Sequence, residues 1–385
     1  MKKNKHVMIA TPVLLLGGTE MQTLNLVHVL VSTGYMVTIC CYYEHDIEMV
    51  RQFEATGAEV LLMDYERAAG LWHLTKGLIR LLKEQKPDIV HVQYLAPGFV
   101  PVFAAWIAGV KTIFATVHQP GRTYGRKEKI LLRTAARFCK AFFCVSKAAE
   151  KSWFGDSAIF DPDAIKFKRK HFTIYNAVDV AKIDSIIRTA NCDEIKRSLN
   201  ISGRKIIGVV GRLRCEKGQK ILLHAMSEVI RKCPDAMLLV VGDGPDLEDL
   251  KMTARALSIQ DCIIWSGMKT PDEVWRLYSI MDVVAIPSLF EGFGLVAAEA
   301  MAAGKPVVAS KVDGLCEVIE DGVTGYLVPA GNSQALGDAL IELLRYPIKA
   351  TAIGQQGCER VGNLFSMEHY QASIIGFYNI FENGY

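Results

Sequence analysis

None of the 10 cysteines in this 385-residue chain is spaced as C-x-x-C, which excludes the usual zinc-ribbon and thioredoxin-like patterns. Several, such as Cys139, Cys144 and Cys262, sit inside apolar runs, where a free thiol behaves as a small hydrophobe. Reduced thiols of a cytosolic protein are expected, not a disulfide framework. Long apolar runs are missing too. The longest uncharged one, Leu95 to Val110, has 16 residues interrupted by two prolines and two glycines, and a membrane span needs about 20 predominantly apolar residues. A buried helix is expected there. The start, MKKNKHVMIAT, is basic, but its apolar stretch is too short for a signal-peptide core. With 31 glycines and 13 prolines, collagen-like and low-complexity classes are excluded. There is no excess of one charge either: 44 basic residues face 41 acidic ones, too balanced for a dedicated nucleic-acid binder.

What is present is enough apolar sequence, 50% of residues, to build two cores. The charge balance hides an asymmetry. Residues 1–185 hold 24 Lys or Arg against 17 Asp or Glu, and the remainder holds 20 against 24. The first half is therefore the one expected to meet something anionic.

Short β-rich runs alternate with longer amphipathic ones. HVMIAT (6–11), MVTICCYY (36–43), EVLLMD (59–64), DIVHVQ (88–93), TIFATVH (112–118) and AFFCVS (141–146) form one series, with a further strand over 171–176. IIGVVG (206–211), MLLVVGDG (237–244), CIIWSG (262–267), VVAIPS (283–288) and PVVAS (306–310) form a second. Continuous Val/Ile runs indicate strands buried on both faces of a parallel sheet. The order predicts an α/β protein of two doubly wound, Rossmann-like domains facing across a cleft. The first domain is expected over 1–180, with 366–385 crossing back onto it, and the second over 181–365. The charged stretch 180–200 is read as their connector. Ligands of such sheets lie beyond the carboxyl ends of the strands.

Several residues with chemistry fall at those ends. GRLRCEKGQ places Arg212 and Lys217 between a strand and a helix start, where two cations, free helix N–H groups and a glycine turn suit a phosphate. GDGP (242–245) reads as a turn that permits close approach of a ligand, with Asp243 and Asp246 available as helix caps. IPSLFEGFGLVAAEAMAAGKPVVAS predicts a helix beginning near Phe293 or Gly294. Glu291 stands before it, and Glu299 lies eight residues on, about 2.2 turns, so both carboxylates are expected to face one side. The N–H groups of Gly294 and Leu295 would meet an anion. In the first half, Gly17-Gly18 precede a helix, and His118 ends a strand where it can hydrogen-bond a substrate hydroxyl. Ser146-Lys147, Asn176 and Asp179 also follow strands.

Two competing patterns carry less. Gly292 to Ala297 fits the dinucleotide fingerprint G-x-G-x-x-A, but that motif usually opens the first βα unit of its domain and this copy falls in the fourth. Asp161-Pro162-Asp163 is a D-x-D of the kind that holds a metal in another class of sugar transferases. No strand leads into it and its proline argues for a surface turn.

GRLRCEKG, GDGP, the E-x7-E run and EVIEDGVTGYLV (317–328) in the second half, with GGTE, TVHQP, CVSK and YNAVD in the first, resemble retaining glycosyltransferases of the GT-B fold, glycosyltransferase family 4. The resemblance implies that Arg212 and Lys217 grip the diphosphate of a nucleotide-sugar donor. It implies that Glu299 binds the ribose, that Glu291 contacts the transferred sugar, and that Gly294 and Leu295 meet the distal phosphate. His118 falls near the reaction centre and Gly18 in the loop beside donor and acceptor. Gly242, Gly267 and Phe293 complete the expected donor-binding set. No cofactor and no metal are implied, the nucleotide-sugar being a substrate. One departure is Gln119, where many relatives carry an acid after the histidine.

The function expected on this resemblance is sugar transfer from a nucleotide-diphosphate sugar to a glycan or polyprenyl-linked acceptor in bacterial surface-glycan synthesis. A GT-B epimerase or phosphorylase, or a non-catalytic carbohydrate-binding subunit, are the alternatives. The basic segments 122–140 and 166–171, interleaved in the first case with Ile130, Leu131, Leu132 and Phe138, suggest an anionic membrane surface. A cytoplasmic protein, peripheral at the inner face of the membrane, is expected. Nucleic acid is not an expected partner.

Overall fold

The computed structural model describes residues 5–93, 99–161 and 169–382. In chain order its strands are β1 (His6–Thr11), β2 (Met36–Cys41), β3 (Glu59–Leu62), β4 (Ile89–Val92), β5 (Thr112–Val117), β6 (Ala141–Cys144) and β7 (His171–Thr173). After these come β8 (Lys205–Val210), β9 (Ala236–Val241), β10 (Ile263–Trp265), β11 (Val283–Ile286), β12 (Val307–Ser310) and β13 (Tyr326–Val328). They form two sheets of order β3-β2-β1-β4-β5-β6-β7 and β10-β9-β8-β11-β12-β13, with every paired strand parallel. All-parallel sheets need both faces covered by the crossover helices. Val7, Ile9, Val90, Phe114, Ile207 and Val284 are accordingly buried.

The chain divides into two units, Met1–Asn176 with Glu368–Tyr385, and Ala177–Met367. The stretch expected as a connector is helical, Val180–Thr189 and Cys192–Ser198, and belongs to the second unit. Ile183, the one fully buried residue of the first of these helices, ties it there.

The final helix, Met367–Glu382, packs into the first unit through aromatic contacts. The Phe377 ring stands edge-on to Phe143 at 4.0 Å, and Phe381 and Tyr378 pack against Phe114. Burying each such ring is worth roughly 1.5–3 kcal/mol, and Tyr378 adds a hydrogen bond between its hydroxyl and His91 Nδ1 at 2.7 Å.

In each sheet the strand order reverses once, between β1 and β4 in the first and between β8 and β11 in the second. A crevice opens at such a reversal because neighbouring crossovers leave on opposite faces. The sheet topology thus selects the loops after β8 and β11 before any side chain is considered.

Candidate functional site

In the second unit, β8 runs into Gly211, Arg212 and a single 3-10 turn, Cys215–Lys217, before the helix Gln219–Lys232. Gly218 joins turn to helix with φ +68°, and a Cβ there would overlap the Pro287 carbonyl. Only glycine lets the β8 loop lie against the β11 loop. Leu289 N–H donates to Glu216 O at 2.8 Å and closes the contact. The turn at β9 is equally tight: a side chain at Gly242 would overlap the Gly211 carbonyl, and Gly242 N–H donates to Gly267 O at 2.8 Å. Gly211, Gly242 and Gly267 therefore stack as bare backbone at the ends of three adjacent strands.

On this base the charged groups are placed. Lys217 Nζ donates to both oxygens of Glu291, each at 2.8 Å. Arg212 is exposed, its carbonyl held by the Gln219 amide at 3.0 Å, and its guanidinium has no ion-pair partner among the described residues. Glu291 O accepts from Gly314 N–H, which draws the β12 loop to the same place.

The helix after β11 begins at Leu295, with Gly294 as its N-cap at φ +103°. The sequence places its start one or two residues earlier; the left-handed Gly294 delays it. The helix start at Leu295 lies four residues after Glu291 and has no side-chain cap, and the N–H groups of such an end attract anions. Phe293, expected in the donor site, is buried edge-on against Phe365, so only its backbone is available to a ligand.

Glu299 lies half-buried beside Tyr278, whose hydroxyl is 3.5 Å from its carboxylate. Burial pushes its pKa up to about 7, and the neighbouring Tyr278 and Trp275 donors offset this only partly. Of the two glutamates, Glu291 is thus paired with a cation, and Glu299 is poorly solvated and weakly bonded.

In the first unit, Gly17 caps the helix Gly18–Ser32. His118 follows β5, with Nε2 2.8 Å from Gln93 Oε1. Desolvation lowers its pKa to about 3, so the ring is neutral. Ser146 and Asp179 cap the helices they precede, and Asp246 caps its own without a side-chain bond.

The basic segments divide. Residues 166–168 lie outside the described residues, as do Pro162 and Asp163 of the D-x-D. Arg169 is no free cation: it binds buried Glu150 and Asp156, each at 2.7 Å, and His171 and Thr173 bond the same glutamate. This buried network was not legible in the sequence. The helix Arg126–Phe138 instead presents Ile130, 64% exposed, beside Arg126, Lys127 and Arg137, with Leu132 turned into the core. The expected buried helix spans Val100–Ile107, and its last turn exposes Trp106 and Ile107. No helix among the described residues is long and apolar enough to cross a membrane. No three His, Cys, Asp or Glu side chains among them are grouped to hold a metal ion.

Two family patterns match the chain: Glycosyltransferase Family 4 over residues 16–182 and Glycosyl transferases group 1 over 191–360. The chain belongs to the family-4 glycosyltransferases of the GT-B fold. Among curated relatives, the D-inositol 3-phosphate glycosyltransferase of Segniliparus rotundus is 34% identical over 54% of this chain and 49% of its own length. The N-acetyl-alpha-D-glucosaminyl L-malate synthase of Bacillus anthracis is 27% identical over 77% of this chain and 75% of its own. The chain thus spans about half the length of the first relative. Among solved structures, Anabaena Alr3699/HepE in complex with UDP superposes with TM-score 0.81 at 20% identity, over 97% of this chain and 100% of that one. A glycosyltransferase from Rickettsia africae reaches 0.81 over the whole of both chains, also at 20% identity. These two establish the GT-B architecture.

Proposed function

We propose that this glycosyltransferase-family chain transfers a sugar from a nucleotide-diphosphate sugar to a glycan or lipid-linked acceptor, with retention of anomeric configuration and without a metal ion. The observation that carries the reading is the Lys217–Glu291 pair, at 2.8 Å, set beside Arg212 and the Leu295 helix end at the reversal point of the second sheet. As the glycosidic bond breaks, negative charge gathers on the departing diphosphate. Cations and fixed N–H dipoles at that position stabilise it more in the transition state than in the ground state. Glu299 is a carboxylate of the kind that accepts hydrogen bonds from ribose hydroxyls, and Glu291 would turn from Lys217 toward the sugar. His118, neutral, would hydrogen-bond the sugar or acceptor near the reacting carbon. Gly18 begins the helix beside which both substrates would lie.

Retention follows the family resemblance. The leaving phosphate would take the acceptor proton on the same face, with no covalent intermediate on Glu291. The UDP and sugar carried by the Anabaena neighbour support a nucleotide-sugar donor. A surface-glycan role and attachment to an anionic inner leaflet rest on the exposed basic helix Arg126–Phe138 and belong to the same proposal.

The test is a panel of nucleotide sugars screened first by thermal shift, then by turnover with glycan and polyprenyl-phosphate acceptors. One selective donor, transferred without orthophosphate and with retained configuration, is the expected result. Phosphate-dependent cleavage would identify a phosphorylase, interconversion without acceptor an epimerase, and sugar binding with no turnover a carbohydrate-binding subunit.

A further inference from the structure

His91 in β4 and Gln93, the first residue after it, are two apart and so fall on the same face, because side chains alternate along extended chain. Thr116 in β5 and His118, the first residue after that strand, do the same, and β5 pairs with β4 in parallel register. His91 is fully buried between Tyr378, at 2.7 Å from Nδ1, and Thr116, at 2.7 Å from Nε2. Gln93 is 2% exposed, its backbone N–H is pinned to Ala10 O at 2.8 Å, and its carbonyl faces His118 Nε2 at 2.8 Å. Its amide nitrogen is buried with no hydrogen-bond partner among the described residues. A buried donor left unpaired costs about 1–3 kcal/mol. Leucine would fill the space without that cost, so packing alone does not account for glutamine here.

We propose that Gln93 is a positioning residue for His118, holding the imidazole oriented and neutral so that it acts on the substrate as a hydrogen-bonding group and not as a charge. This rests on the place given to His118 in the proposed function. The carbonyl of Gln93 accepts the Nε2 proton, which fixes the tautomer, and an amide adds no negative charge that would draw a second proton onto the ring. A carboxylate of the same length would. Neutrality matters because positive charge develops at the sugar carbon during transfer, and a cation beside it would oppose the reaction. The titratable groups on the elements packed nearby include His91 on β4, His6 on β1, Cys144 on β6 opposite Val117, Tyr378 on the returning helix, and Tyr124 in the segment after His118, which donates to Gln119 at 2.9 Å. His91 is itself held neutral by burial.

Two variants test this. Gln93→Leu should lower kcat roughly tenfold, part of the roughly 10²–10⁴ that a well-placed proton-handling side chain contributes, with donor KM changed less than about twofold. Gln93→Glu should raise the His118 pKa to neutrality or above, read directly from the ring carbon signals by NMR and assigned against His118→Gln. Its kcat should then fall as pH drops through that new value, a limb the parent protein lacks above pH 5. Wild-type kcat in Gln93→Leu, or an unmoved His118 titration in Gln93→Glu, overturns the proposal. The NMR measurement needs no substrate, so it still decides the role of Gln93 if no donor is turned over and the proposed function fails.

Discussion

Lys217 and Arg212 are both cations at the end of β8, yet only Lys217 is engaged, by both oxygens of Glu291 at 2.8 Å. Their removal should therefore have different signatures. Either alanine variant should lower kcat/KM for the donor by on the order of 10²–10³, as does loss of one donor from an oxyanion hole. Lys217→Ala also leaves Glu291, only 14% exposed, without its counter-charge, and should lower the melting temperature by a few degrees, about 1 kcal/mol. Arg212→Ala should leave it unchanged, and a melting curve beside the kinetics separates the two. Glu299 has a different dependence, on pH. Its pKa is raised to about 7, so the folded chain loses stability from this group as pH rises from the unfolded carboxylate value through 7. Ribose hydroxyls would donate to its ionised form. Nucleotide-diphosphate affinity should then strengthen between pH 6 and pH 8, and Glu299→Gln should abolish that slope while melting higher than the parent above pH 7. Isothermal titration at both pH values checks it; an unchanged slope in the variant removes Glu299 from the ribose site.

The glycine-bearing loops are elements whose shape is set by backbone contact. Gly218 combines φ +68° with a Cβ position occupied by the Pro287 carbonyl, whereas Gly203 has φ +75° and open space. Gly203→Ala should cost only the left-handed penalty, about 1–2 kcal/mol. Gly218→Ala must in addition part the β8 and β11 loops, so it should melt lower than Gly203→Ala and lose nucleotide binding, measured by thermal shift with and without UDP. Equal behaviour of the two would mean that the loops do not need their close approach. These loops were legible in the sequence because glycine, cations and acids fall directly after unbroken Val/Ile strands, a pattern that local chemistry writes out in a dozen residues. β13 was not, since Tyr326–Val328 is too short and too half-buried to form an apolar run. Gln93 and the Glu150 network were not either. Their partners lie on or next to other elements, 25 residues away for His118 and 19 to 23 for Arg169, His171 and Thr173, so the packing of those elements has to be known first.

At the scale of the whole molecule, the two units differ in charge as well as in site chemistry. Met1–Asn176 with Glu368–Tyr385 carry 23 basic against 17 acidic side chains, and the other unit 21 against 24; part of the first excess is exposed on the helix Arg126–Phe138 around Ile130. Arg169 does not add to it, since Glu150 and Asp156 hold it. Trp72 and Trp106, 71% and 51% exposed, lie on two further helices of the same unit. Cations with apolar residues among them favour an anionic lipid surface at about 1 kcal/mol per Lys or Arg, and salt screens this within a Debye length of roughly 8–10 Å. The chain should therefore sediment with vesicles rich in phosphatidylglycerol and not with phosphatidylcholine alone, and the binding should fade as salt is raised. Replacing Arg126, Lys127 and Arg137 together with glutamine should weaken partitioning about a hundredfold, three such contributions, while turnover of a water-soluble acceptor stays unchanged because none of the three lies in the donor site. Equal sedimentation with neutral and anionic vesicles, or an unaffected triple variant, would mean that this helix is only a solvated face.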